Sequence, residues 1–148
     1  MDSRKLYLFR FHQGEIPLHE ISELINAGSH LVDAGAYNIF LGQVRNDLKE
    51  EGKVISIDYT ANEILAAEVM RKIMKDAKTK FDIKSINVVH SLGNVPFGNI
   101  CLVVYVVCKH RKESFKACEY LVERLKKELP VWGKEIIENN THTWKINT

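Results

Sequence analysis

Cysteine and proline are scarce, three of each in 148 residues, and the longest apolar run is Ile100–Cys108. That run is about half of the ~20 residues a membrane-spanning helix needs, and the first residues hold no apolar block like that of a secretory signal. The expectation is a soluble, cytoplasmic protein. Cys101, Cys108 and Cys118 are odd in number and form no C-x-x-C pair, which excludes a disulfide framework. They lie among Val, Leu, Ala and Phe and read as small core residues. The six histidines are scattered, with no H-E-x-x-H, so neither a metal nor a cofactor is expected. A strong charge is also missing: 21 Lys and Arg against 19 Asp and Glu leave a formal +2. Nucleic-acid binding would need a local basic patch, because the overall field supplies none.

What is present is an ordinary globular balance, 45% apolar and 27% charged, in one domain spanning residues 1–148. Residues 5–11 alternate as a strand, and Pro17 opens a helix that runs to about residue 27. Residues 36–44 and 54–61 read as two strands of a hairpin around a charged loop, 46–53. Asn62 caps a helix to about residue 78, with Leu65, Val69, Ile73 and Ala77 on one face. Strands at 83–92 and 99–108 flank a turn-rich stretch, 93–98. A second long helix, 112–129, is stopped by Pro130, and a terminal hairpin of 131–138 and 142–146 turns at Asn139-Asn140. Short turns between successive strands favour antiparallel pairing. The fold class is therefore α+β, helices packed on a mixed, mostly antiparallel sheet.

Four segments carry possible chemistry. His110 and Arg111 stand where a strand feeds a helix N-terminus, a place with unpaired N–H groups suited to an anion. A solvated basic turn is the plainer reading of the same residues. Gln43, Val44 and Arg45 end a strand in which Gly42 marks a bulge, and Arg45 is either a bidentate anion clamp or an ordinary surface arginine. On the 112–129 helix, Phe115, Cys118, Leu121, Val122, Leu125 and Leu129 define an apolar stripe. At ~100° per residue Lys126 falls about 70° from its centre and Lys127 about 170° away. Lys127 faces water, whereas Lys126 borders the buried face, either snorkelling or held as a partly desolvated amine. Beyond Pro130, Trp132 reads as a core residue of the hairpin, and Lys134 adds a second amine.

Together, G-x-V-R-N at 42–46, S-L-G-N-V-P-F-G at 91–98, H-R with F-x-A-x-E-Y at 110–120, and L-K-x-x-x-P-x-W-x-K-E at 125–135 resemble one family. It is that of the large, catalytic subunit of molybdopterin synthase, the MoaE family. The resemblance implies an α/β-hammerhead-like fold and a sulfurtransferase of molybdenum cofactor biosynthesis. Such an enzyme moves sulfur from the C-terminal Gly-Gly thiocarboxylate of a small ubiquitin-like subunit to cyclic pyranopterin monophosphate, forming a dithiolene. It implies a homodimer within a heterotetramer. By matching motifs it implies substrate-binding positions at Phe40, Gln43, Val44, Arg45, His110, Arg111, Gly133 and Glu135, with Lys126 and Lys134 catalytic. The family's lysine directly after the tryptophan is replaced here by Gly133, and a local twist at that glycine is expected to swing Lys134 toward the pocket. Two other classes stand beside this reading. One is a non-catalytic homologue that binds the phosphorylated pterin or the ubiquitin-like partner. The other is an RNA-binding module, disfavoured because the strands carry no glycine-aromatic stacking pattern.

Overall fold

The computed structural model describes residues 6–28, 30–139 and 142–147. Along the chain come β1 (Tyr7–Gln13), α1 (Leu18–Gly28), β2 (Ala36–Gln43), β3 (Leu48–Lys49), β4 (Gly52–Ala61) and α2 (Glu63–Lys80). Then follow β5 (Ile83–Pro96), β6 (Ile100–Cys108), α3 (Arg111–Glu128), β7 (Val131–Ile137) and β8 (His142–Trp144). The strands form one sheet in the order β2-β6-β5-β4-β7-β8. β1 lies parallel beside β5, and the short β3 pairs with β4. The expected mixed, mostly antiparallel α+β class is the one observed. Of the expected first strand and final turn, Lys5 and Asn140 lie outside the described residues.

β6 is apolar throughout because both of its faces are covered. Leu102, Val104 and Val106 join the core under α2 and α3, while Val103 joins Ile16, Ile21 and Val89 under α1. All three cysteines are buried, as their apolar neighbours suggested.

Four expectations are corrected. β2 and β4 do not form a hairpin. A register shift at Gly42/Gln43, the bulge expected from Gly42, ends the β2–β6 ladder. Val44 then spends its N–H on Asn99 O and its carbonyl on Gly98 N, so β2 stays at one edge while β4 pairs with β5 and β7. Within the charged 46–53 loop the chain folds back as β3. Next, β5 extends through the supposed turn to Pro96. Gly93, at φ 77°, lets the strand change partners, from β1 and β6 before it to β4 from that point on. On α2 the expected Ile73 and Ala77 are buried and Val69 packs against the core, but Leu65 is 43% exposed and Ala66, Met70 and Met74 complete the stripe instead. On α3, Phe115 is exposed, and the stripe begins instead at Ser114 and Ala117 before running on through the expected Cys118, Leu121 and Leu125.

Candidate functional site

α3 ends where Leu129 accepts no further turn: its N–H still bonds Leu125 O, and Pro130 cannot continue the ladder. The chain reverses into β7, which pairs antiparallel with β4, and β8 returns along β7. A cavity of about 170 Å³ is left between the end of α3 and these strands. Leu125, Leu129 and Val131 supply its apolar wall, and Trp132 and Trp144 bring two indoles. Its polar groups are Tyr59, His90, Lys126, Lys145 and Asn147, and among the described residues none of its lining is acidic.

Lys126 is where the helical spacing put it, at the border of the buried face, and Lys127 is exposed. Burial pushes the Lys126 amine below the ordinary lysine range, and the neighbouring charge of Lys145 pushes it the same way. His90 is buried, with Nδ1 2.8 Å from Ser91 O. A carbonyl only accepts, so Nδ1 carries the proton and Nε2 keeps its lone pair. Burial depresses the His90 pKa to about 4, and the charges of Lys126 and Lys145 add to the fall. The imidazole is neutral at physiological pH. Tyr59 stacks edge-on against it at 5.1 Å, and burial raises its phenol well above the usual value.

Gly133 forms part of the wall, opposite Tyr59 in the β4–β7 register. A Cβ there would stand 3.0 Å from Ile57 Cγ2 and 3.2 Å from the Tyr59 ring, so glycine is what lets the two strands close over the phenol. The expected twist does not occur. Pairing runs unbroken through Tyr59–Gly133 and Asp58–Lys134, Gly133 has no positive φ, and Lys134 is not part of the cavity lining. Strand alternation keeps Lys134 on the face opposite Gly133. Trp132 is likewise corrected: it is 52% exposed at the cavity, paired with exposed Thr60, and is not a core residue.

The remaining positions lie elsewhere on the protomer. His110 and Arg111 are exposed at the start of α3, around a separate shallow depression with Lys112 and Glu113. Phe40 faces Phe115, Cys118 and Val122 in a groove between β2 and α3. Gln43 is exposed beside Gly98 and Asn99, and Arg45 is exposed, 3.1 Å from Asp47. Val44 is buried in the core, where it shapes the strand end without an open face of its own. Glu135 is buried, 3.5 Å from Lys49 Nζ, and accepts a hydrogen bond from Thr143. Reading the sequence missed His90, Tyr59 and Lys145. A histidine inside the otherwise apolar run Val88-Val89-His90 was the one available signal, whereas nothing in the spacing marks Lys145.

The family model described as MoaE protein matches residues 12–128. Molybdopterin synthase catalytic subunits from Rattus norvegicus and Homo sapiens are each 35% identical over 140 residues. The alignments cover 95% of this chain and 68% and 71% of theirs. A molybdopterin synthase structure from Staphylococcus aureus superposes with a TM-score of 0.77 at 25% identity, covering 99% of this chain and 98% of that one. A Helicobacter pylori complex of subunits 1 and 2 of molybdopterin-converting factor gives a TM-score of 0.77 at 22% identity, covering 92% and 88%.

Proposed function

This chain belongs to the MoaE family, and from that premise we propose that it is the sulfur-transferring subunit in molybdopterin synthesis. A small ubiquitin-like partner would present a C-terminal Gly-Gly thiocarboxylate, and cyclic pyranopterin monophosphate would receive its sulfur to form the dithiolene. The observation that carries this reading is the half-buried Lys126 in a cavity whose described lining holds no acidic residue. Both reactants are anions, and a cationic, partly dry pocket attracts them more strongly than exposed lysines in water would. The lowered pKa of Lys126 lets the same amine give up a proton more readily than an ordinary lysine as sulfur leaves the carrier.

Gln43 and Arg45 at the end of β2, and His110 and Arg111 at the start of α3, would supply donors for the phosphorylated pterin from separate parts of the protomer, and Phe40 an apolar surface in the groove between β2 and α3. Val44 and Glu135 act from inside the protein, one holding the strand end that carries Arg45 and the other tying β7 to Lys49 and Thr143. Arg111 and Lys126 lie at opposite ends of α3 and do not meet within one protomer. We therefore place the complete site between two copies of the chain, in a homodimer carrying a small subunit on each protomer. Single-turnover conversion of the pterin, by this chain assembled with its thiocarboxylated partner, tests the reading. Product containing the dithiolene supports it, and tight binding of both reactants without product would leave a non-catalytic binding protein.

A further inference from the structure

The stretch that follows β8 forms one side of the cavity. Lys145 donates its backbone N–H to Gly133 O at 2.9 Å, and Asn147 Nδ2 donates to Lys126 O at 3.4 Å. One short segment is thereby tied both to β7 and to the last turn of α3. It lays Lys145 along the same lining as Lys126, beside the position where Gly133 has no side chain. Tyr59 and Ile57 already fill the space that a side chain on residue 133 would need. The lysine of β7, Lys134, is not in the lining, and the second cation that lines this cavity comes from outside β7.

We propose that Lys145 is the second anion-binding amine of the cavity, acting with Lys126 on a carboxylate, thiocarboxylate or phosphate group of the ligand. The proposal rests on the sulfur-transfer reading for the identity of that ligand, but not for the existence of the site. Two amines share about 170 Å³, and no lining carboxylate among the described residues neutralises them. Glu135, the nearby acid of β7, is held by Lys49 and Thr143 and lies outside the lining. Mutual repulsion of two ammonium groups is relieved when an anion enters between them, so the cavity favours one. Burial weakens solvent screening and strengthens that attraction. The lowered proton affinity of Lys126, part of it due to Lys145, is consistent with this proximity. His90 from β5 and Tyr59 from β4 face the same space, and Cys101 of β6 acts on Lys126 in the opposite sense.

The test uses the full chain with 13Cε-labelled lysine, inorganic phosphate as the probe anion, and the variants Lys145→Gln, Lys145→Arg and Lys127→Gln. In the unliganded protein, Lys145→Gln should raise the pKa of Lys126, while Lys127→Gln leaves it in place. Phosphate should shift the Lys126 and Lys145 signals together. Its affinity should fall roughly ten-fold or more in Lys145→Gln, the scale of one charge-assisted contact, and recover in Lys145→Arg. An unchanged Lys126 titration together with unchanged phosphate affinity in Lys145→Gln would overturn the proposal. In the assembled complex, single-turnover rates should fall in Lys145→Gln and be regained in Lys145→Arg. A wild-type complex that makes no product would defeat the sulfur-transfer reading while leaving the titration and phosphate results to decide the anion site.

Discussion

Arg111 opens α3 and Lys126 stands in its last turn, about 15 residues and so about 22 Å apart along the helix axis. Neither side chain spans that gap to grip one small pterin. If both serve one reaction, two protomers must contribute. Mixing Arg111→Ala with Lys126→Ala protein should therefore restore turnover at one of the two sites in each mixed dimer. Verified heterodimers that stay as inactive as the parents would remove the composite site.

Lys126→Ala should lose nearly all product formation while the fold persists, because the lysine borders the core and does not fill it. Lys127→Ala, exposed on the next helical position, should keep close to wild-type rates. Circular dichroism shows whether both fold, and equal losses of rate would contradict the role given to the half-buried amine.

Arg45→Ala and Arg111→Ala should each weaken pterin binding by about 1.5–3 kcal/mol, the worth of a charge-assisted hydrogen bond, with little change in affinity for the small subunit. Calorimetric titration with each ligand separates the two effects. Wild-type affinity for the pterin in either variant would take that arginine out of the substrate site.

Gly133→Ala should destabilise the protein by about 1–3 kcal/mol, because the new Cβ meets Ile57 and Tyr59 at 3.0 and 3.2 Å. Ile57→Ala, which removes Cγ2 itself, should cost less in the Gly133→Ala background than in the wild type. Urea unfolding measures both. Additive losses would mean that Ile57 is not the obstacle. Lys134→Ala, on the other face of β7, should retain a larger share of turnover than Lys145→Gln.

Stability should also report the buried imidazole. The folded pKa of His90, about 4, lies below its ordinary 6.5, so below pH 6.5 the unfolded chain takes up a proton that the folded one refuses. Stability is complete above pH 6.5 and drains away as pH falls toward 4, by up to about 3 kcal/mol. The carboxylates whose pKa values are lowered by ion pairs, such as Glu20 and Asp76, lose their contributions at the acid end of this range and below it. Denaturation curves between pH 7 and 5 therefore isolate His90. His90→Gln should flatten that slope, and an unaltered slope would place the acid sensitivity elsewhere.

Local chemistry made much of this molecule legible in its sequence. Asn62 caps α2 through its side chain, Pro130 stops α3, Gly42 sits at a bulge, and helical spacing separates Lys126 from Lys127. Each is a matter of neighbouring residues and a fixed repeat, and so needs no knowledge of distant chain. The motifs at 42–46, 91–98, 110–120 and 125–135 likewise carry the family in their order and spacing. Only the tertiary structure decided which strands pair. β2 and β4 look like a hairpin until β5 and β7 take both edges of β4, a choice made by packing across residues far apart. The same holds for the cavity. His90 and Tyr59 come from different strands and Lys145 from the stretch after β8, and no repeat in the sequence links them. Gly133 alone would suggest a backbone free to twist. The Tyr59 ring packed across the ladder shows instead a glycine chosen for lack of room, in a regular strand that keeps Lys134 on its far side.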